Sequence, residues 1–158
     1  MPVLGGDAQW MLDNLFGPIT FNKDGSQFAF VRDSQGGTSL MADHTQPPAR
    51  EREIWRSTEV VGRRIAWSSS DRIAAFIYQQ QPGARPSLNL RVFQPDGHLL
   101  HSLQLPQWRS VSKPVWLKNG RDLLAPTAAQ DESDDQMQLR IVSTLTGKTE
   151  NVTADIYG

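Results

Sequence analysis

The densest group of chemically capable side chains in this sequence is an acidic run near position 133. Asp131, Glu132, Asp134 and Asp135 place four carboxylates within five residues. Carboxylate oxygens on a flexible loop are the ligands that Ca²⁺ prefers. The run contains no glycine to make the sharp turn of a calcium-binding loop, however, and its spacing matches no such loop. We therefore predict a solvated hairpin tip here, and no metal site.

The histidines, serines and cysteines point to no catalytic site either. His98 and His101 flank two leucines on a predicted strand, and their spacing sends the two side chains to opposite faces of it. A serine nucleophile would normally lie in a Gly-x-Ser-x-Gly elbow, and the sequence contains none. It contains no cysteine, which excludes thiolate chemistry and disulfides. We predict a protein that is not an enzyme and has no catalytic, cofactor-binding or metal-binding residues.

Composition and charge exclude two classes of partner. The 158 residues are 38% hydrophobic and 21% charged, which is typical of a globular protein. The net charge of −1 gives no electrostatic attraction to nucleic acid or to an anionic membrane. No apolar stretch approaches the roughly 18 residues of a membrane span, and residues 1–12 lack the pattern of a signal peptide. We predict neither nucleic-acid binding nor membrane contact within this segment.

Any functional residue must be positioned by short strands. Apolar residues alternate with a period of two in 27–32, 88–93 and 138–142, as in strands packed on one or both faces. Asp-Gly and Asn-Gly pairs, which supply the positive φ of tight hairpins, separate them at 24–25, 96–97 and 119–120. The best helical candidate, Ala8–Phe16, is too short to be convincing. The pattern predicts an all-β protein with no substantial helix.

One phrase occurs three times: an aromatic anchor, a polar turn and an apolar strand. The anchors Phe21, Trp67 and Trp116 lie 46 and 49 residues apart. A repeat of this length built from short strands is typical of a β-propeller blade. The segment that begins at Leu4 also matches the phase of the one that begins at Leu145, 141 residues later, which is three periods of 47. We predict a partial propeller of about three four-stranded antiparallel blades.

This repeat divides the single domain, 1–158, into four parts. Residues 1–16 are predicted to be the outer strand of a preceding blade and a linker, followed by blade 1 at 17–62, blade 2 at 63–110 and blade 3 at 111–158. Three blades do not close into a ring, because closed propellers have about four to eight. We therefore expect either further blades of a larger protein or a second copy of the chain to complete the ring.

The repeat resembles that of TolB-like propellers, which are also described as WD-repeat-like. Phe21-Asn-Lys-Asp-Gly-Ser-Gln-Phe-Ala-Phe30 is the closest copy of aromatic-Ser-x-Asp-Gly-x-x-apolar-Ala-Phe, with Asn22 in place of the serine. The second copy has Ser70-Asp71 where Asp-Gly is usual, and the third has Leu117 for the serine and Asn119 for the aspartate. More narrowly, 28–32, 39–41, 116–117 and 152–155 are similar to the C-terminal propellers of large bacterial serine/threonine kinases and winged-helix regulators.

The resemblance implies structural roles for the repeated residues. The three anchors, Phe21, Trp67 and Trp116, would pack between blades. The turn residues would be Asp24, Gly25, Asp71, Asn119 and Gly120, together with Asp96. The resemblance also favours the extracytoplasmic side of a membrane-anchored bacterial parent over the cytoplasm.

The function that the resemblance implies is a non-catalytic interaction or sensing module from a larger bacterial signalling protein. It would bind a protein or a small ligand through blade loops, for which the polar segments 79–87 and 128–136 are the candidates. No cofactor is expected. Two alternatives remain open: the gating propeller of a prolyl-oligopeptidase-like serine hydrolase, and a scaffold that oligomerises to close the ring.

Overall fold

The computed structural model describes residues 12, 15, 17–34, 36–46, 48, 50–58, 60–79, 83, 87–132 and 136–152. Within these residues thirteen strands form three separate antiparallel sheets, and there is no α-helix. The prediction of an all-β protein with three antiparallel blades is confirmed. Leu12 and Leu15 are the only described residues of the predicted leading segment, 1–16, so its strand and linker lie outside the described part of the chain.

The three sheets follow one another along the chain. Blade 1 contains β1 (Thr20–Phe21), β2 (Gln27–Ser34), β3 (Gly37–His44) and β4 (Arg52–Ser57). Blade 2 contains β5 (Val60–Trp67), β6 (Ile73–Gln79), β7 (Ser87–Phe93) and β8 (Leu99–Leu105). Blade 3 contains β9 (Trp108–Val111), β10 (Val115–Trp116), β11 (Asp122–Ala129), β12 (Gln138–Ser143) and β13 (Thr149–Asn151). Strand β5 includes both residues at the predicted boundary 62/63, and β9 includes both at 110/111.

Blade 3 differs from the other two in its first strand. Both β9 and β10 pair with β11, so they are two pieces of one strand that is interrupted at 112–114. Pro114 lies in the gap, and a proline has no N–H to donate to a sheet. Ser112 still donates its amide to the Pro126 carbonyl at 2.8 Å. The sheet therefore keeps four strand positions while containing five strand segments.

The hydrophobic cores lie between neighbouring blades. The first joins Val31 and Leu40 of blade 1 to Ile73 and Ile77 of blade 2. The second joins Phe76, Leu90 and Val92 of blade 2 to Leu123, Ala125 and Val142 of blade 3. Because successive side chains of a strand point to opposite faces, blade 2 supplies one set of residues to each core. Each large side chain buried in this way contributes about 1.5–3 kcal/mol, so adjacent blades stabilise each other.

Candidate functional site

A cavity of about 620 Å³ lies at one rim of the sheets, between blades 1 and 2. We call it the rim cleft. The β1–β2 turn of blade 1 forms one wall, and the β5–β6 and β7–β8 turns of blade 2 form the other. Its lining residues are Asn22, Asp24, Ser26, Gln27, Arg52, Trp67, Ser70, Asp71, Gln94, Pro95 and Asp96. The volume falls within the range of about 300–1,000 Å³ that is usual for ligand sites.

The wall from blade 1 is a turn held by its own side chains. Asp24 Oδ1 accepts hydrogen bonds from the Ser26 hydroxyl at 2.6 Å and from the Ser26 amide at 2.9 Å. These bonds, with the hydroxyl first, hold the pKa of Asp24 below its ordinary value. Asn22 Oδ1 accepts the Gln27 amide at 3.0 Å, and Gly25 takes a φ of 73°. The turn therefore presents a charged carboxylate to the cleft from a fixed backbone.

The wall from blade 2 uses different residues for the same turn. Ser68 Oγ accepts the amides of Ser70 at 3.3 Å and Arg72 at 2.9 Å. Asp71 takes a φ of 53°, where the other two copies have Gly25 and Gly120 at 73° and 62°. Aspartate is among the few residues that adopt this left-handed conformation at modest cost. This explains how Ser70-Asp71 can replace the usual Asp-Gly.

Several polar groups in the rim cleft are uncommitted. The side chains of Gln27, Arg52 and Gln94 make no hydrogen bond or ion pair with any other described residue. Asp71 accepts only a 3.3 Å bond from the Trp67 indole, and Asp96 accepts the His98 amide at 2.9 Å. The cleft thus offers a ligand neutral amides, one positively charged guanidinium and negatively charged carboxylates.

Two smaller cavities of about 260 Å³ each lie beside the rim cleft on blade 1. They share His44 and Arg50. The loop that carries these residues is fixed by Asp43, which is 3% exposed and accepts the amides of His44 and Arg50 at 2.6 Å each. Because Gln27 and Arg52 line both the rim cleft and one of these cavities, the three form one continuous concave region.

The structure places the predicted anchors in unequal environments. Trp67 is 8% exposed and lies in the core between blades 1 and 2, and its amide donates to Thr20 Oγ1 at 2.9 Å. Trp116 is half-buried against blade 2, and its indole N–H donates to the Ala66 carbonyl at 2.9 Å. Phe21 is 48% exposed and contacts the Phe28 ring of its own blade, with centroids 6.0 Å apart.

The predicted turn residues are only partly brought together. Asp24 and Asp71 line the rim cleft with Trp67, whereas Asn119 and Gly120 lie in the turn of blade 3. Asn119 Oδ1 accepts the amides of Arg121 at 3.0 Å and Asp122 at 3.1 Å. The loops 79–87 and 128–136 were predicted to form the recognition surface. Their described residues lie at the ends of β6 and β11 opposite to the ends that carry the turns of the rim cleft and of blade 3, and 80–82, 84–86 and 133–135 lie outside the described residues.

Sequence reasoning missed a buried arginine in blade 3. Arg140 is 6% exposed and stacks over the Trp108 ring at 4.5 Å. Its guanidinium donates to the Thr127 carbonyl at 2.8 Å and to the Glu132 carboxylate at 3.0 Å. Further acceptors are Thr127 Oγ1, Gln138 Oε1 and Asn151 Oδ1, at 2.9, 2.9 and 2.8 Å. The signal was its place on β12: alternation puts Arg140 on the same face as the buried Val142.

This ion pair corrects one part of the prediction for the acidic run. Glu132 is not a solvated side chain, because it binds Arg140 and also accepts the Ala129 amide at 2.7 Å. Residues 133–135, the rest of the run after Glu132, lie outside the described residues. Among the residues described, no group of three or more His, Asp or Glu side chains could hold a metal ion. His98 is exposed in the turn before β8, and His101 is half-buried within β8.

We expect the Arg140–Glu132 pair to make stability depend on pH. The Arg140 hydrogen bond, and then the Ala129 amide, lower the pKa of Glu132 from its ordinary 4.5. A lowered carboxyl pKa means that the stabilisation is complete above about pH 4.5 and is lost as the pH falls through the lower folded value. Urea unfolding of wild type and Glu132→Gln should therefore differ at pH 7 and converge in acid. A constant difference down to pH 3, or an equal effect of Asp131→Asn, would contradict this.

Comparison with known proteins finds similar structures but no similar sequences. No protein-family profile matches the chain, and no curated protein sequence matches it. Acylaminoacyl peptidase of Pyrococcus horikoshii superposes with a TM-score of 0.64 at 13% identity, over 90% of this chain and 25% of the peptidase. The β-propeller domain of the trilobed protease from Pyrococcus furiosus, described as having an open velcro topology, gives 0.59 at 14%, over 92% and 44%. TolB from Acinetobacter baumannii gives 0.59 at 11%, over 90% and 33%.

These similarities establish the architecture alone, because every identity is below 15%. The chain spans 25% to 44% of the length of these three structures. Within the described ranges, no helix has the length and apolar character of a membrane span. The chain has the fold of part of a TolB-like β-propeller.

Proposed function

We propose that this chain is a non-catalytic interaction module that binds a segment of another protein in the rim cleft. The observation that carries the proposal is the cavity itself: about 620 Å³ between two blades, with the side chains of Gln27, Arg52 and Gln94 uncommitted. A peptide presents amide donors and acceptors at regular intervals, and these suit the mixture of amides, carboxylates and one guanidinium in the cleft.

The walls of the cleft favour binding without a large rearrangement. Each turn is held by several hydrogen bonds from its own side chains, such as Asp24 to Ser26 and Ser68 to Arg72. Trp67, which lies between the blades, forms part of the lining. Groups held in place in the free protein lose little entropy when a ligand binds.

The proposal is tested by selecting peptides from a random displayed library on immobilised wild-type protein. Peptides recovered in this way should bind at least about fivefold more weakly to Arg52→Ala/Gln94→Ala, because two uncommitted hydrogen-bonding groups are lost at roughly 0.5–1.5 kcal/mol each. Lys118→Ala, an exposed change in the equivalent turn of blade 3, is the control and should leave binding unchanged. Recovery of no binding peptide, or equal binding to both variants, would contradict the proposal.

The role of the parent protein is a separate proposal. Sequence resemblance supports a bacterial kinase or winged-helix regulator, in which the module would serve signalling from the extracytoplasmic side. The solved peptidases support the alternative, a propeller beside a serine hydrolase domain. The reading frame that encodes the chain would separate the two: a kinase or winged-helix domain supports the first, and an α/β-hydrolase domain with a serine elbow supports the second.

A further inference from the structure

A run of alternating charges, Arg50-Glu51-Arg52-Glu53, leads into β4 beside the two smaller cavities of blade 1. The structure separates the two kinds of charge. Arg50 and Arg52 both line one cavity of about 260 Å³, whereas neither glutamate is among the described lining residues of the three cavities. We call this cavity the basic pocket, and its lining residues are Gln27, Ala42, Asp43, His44, Arg50 and Arg52.

The two glutamates of the run are committed to other partners. Glu51 Oε1 accepts a hydrogen bond from the Arg32 guanidinium at 3.0 Å. Glu53 Oε2 accepts bonds from Arg56 at 2.8 Å and from the Ser39 hydroxyl at 2.9 Å. These hydrogen bonds, those from the arginines first, lower the pKa of both carboxyl groups from their ordinary 4.5. Both glutamates are therefore charged and paired at neutral pH, and neither neutralises the arginines of the basic pocket.

The two arginines of the basic pocket have no such partners. Within the described part of the chain, neither the Arg50 nor the Arg52 guanidinium makes a hydrogen bond or an ion pair. Their backbone is nonetheless fixed: the Arg50 amide donates to Asp43 Oδ1 at 2.6 Å, and Arg52 pairs with Ala42 in the sheet. Two unpaired guanidiniums thus line the same concavity from fixed backbone positions.

The charge of the basic pocket suits one carboxylate. Asp43, which is 3% exposed, also lines the pocket and accepts the His44 amide at 2.6 Å. With the histidine neutral, two arginines and one aspartate leave a single positive charge. A carboxylate carries one negative charge, and the planar fork of a guanidinium can donate to both of its oxygens. A phosphate monoester, with a charge of about −1.5 to −2, would exceed the positive charge that the pocket offers.

The rim cleft beside the pocket has the opposite charge. Asp24, Asp71 and Asp96 line the cleft, while Gln27 and Arg52 line both the cleft and the pocket. A segment that occupies the cleft and extends over blade 1 therefore passes from three carboxylates to two guanidiniums. Acidic residues of such a segment are favoured only at the basic pocket, because like charges brought together weaken binding.

We propose that the basic pocket is a carboxylate site, in which Arg50 and Arg52 bind the side chain of one Asp or Glu residue of the partner segment. This inference rests on the proposed function for the origin of the carboxylate, since the segment in the rim cleft supplies it. It adds a requirement on the sequence of that segment: one acidic residue at a fixed position, next to residues without negative charge.

NMR titration tests the pocket without any partner segment. Acetyl-Ala-Glu-Ala-amide should shift the backbone amide signals around His44, and acetyl-Ala-Gln-Ala-amide at equal ionic strength should not. The shifts should disappear in Arg50→Gln/Arg52→Gln and persist in Lys118→Gln/Arg121→Gln, which loses the same charge from exposed positions of blade 3. No shift, equal shifts from both tripeptides, or shifts that survive in Arg50→Gln/Arg52→Gln would overturn the site. Tighter binding of acetyl-Ala-phosphoserine-Ala-amide would overturn the choice of a carboxylate.

The peptides selected on immobilised wild-type protein test the link to the proposed function. We expect them to share one acidic position, and replacing that residue by its amide should weaken binding to wild type by about 4- to 25-fold, because two exposed ion pairs are lost at roughly two- to fivefold each. The same replacement should not change binding to Arg50→Gln/Arg52→Gln. Selected peptides without a shared acidic residue would overturn this inference and leave the proposed function standing. Recovery of no peptide would remove the proposed function, and the titration alone would then decide the carboxylate site.

Discussion

Replacing Arg140 with methionine is expected to lower the free energy of unfolding by about 2–4 kcal/mol, because one buried donor of several hydrogen bonds and one partner of a half-buried ion pair are removed. Methionine can keep the contact with Trp108, but it cannot donate a hydrogen bond. The carbonyl and hydroxyl of Thr127, which is 1% exposed, would lose the Arg140 donor in a place where water reaches them poorly. Glu132 would lose its ion-pair partner while keeping the Ala129 amide. Urea unfolding at pH 7 measures the loss directly.

Two variants separate the hydrogen-bonding role of Arg140 from its charge. Arg121→Met removes a positive charge from an exposed position of the same blade, and its effect should lie within about 0.5 kcal/mol of zero. Arg140→Lys keeps the charge but loses the planar fork that reaches several acceptors at once, so most of the destabilisation should remain. If Arg140→Met and Arg121→Met unfold at the same urea concentration, the network does not stabilise blade 3.

The fold was predictable because its signals are local. Alternation along β2, β7 and β12 depends on neighbouring residues only, and the sequence pattern located all three strands. The repeat then supplied the number of sheets, since anchors about 47 residues apart leave room for four short strands each. The division of the first strand of blade 3 was not anticipated, although Pro114 was visible, because β9 pairs with β11 across a gap that no local pattern describes.

The site was not predictable because it depends on contacts between distant residues. The rim cleft exists where Asp24 and Asp96, which lie far apart in sequence, approach across two blades. The partners of Arg140 likewise lie on β11, on β13 and in the segment between β11 and β12. The sequence indicated the acidic run as an exposed group. Within it, Glu132 forms an ion pair with Arg140, and no local pattern in the sequence indicates this pair.

Replacing Trp67 with alanine is expected to lower the free energy of unfolding by about 3–5 kcal/mol, as for other buried large aromatic residues. Trp67 is 8% exposed, and in the first core it packs with residues from both blades, including Val31 and Ile73. The truncation would leave a cavity between blades 1 and 2, where two separate sheets would have to shift to fill it. For a chain of this size the melting temperature should fall by roughly 2–4 °C for each kcal/mol.

Two control variants test whether the loss of stability in Trp67→Ala comes from packing between blades. Trp67→Phe fills most of the space and loses only the 3.3 Å indole bond to Asp71, so it should cost about 1 kcal/mol or somewhat more. Leu99→Ala removes a 44% exposed side chain from β8 and should change little. If the anchor packs the two blades together, the loss of unfolding free energy should be largest for Trp67→Ala, smaller for Trp67→Phe and smallest for Leu99→Ala. Equal losses for Trp67→Ala and Leu99→Ala would mean that the blades do not depend on this anchor, and the repeat would then specify turns without specifying how neighbouring sheets pack.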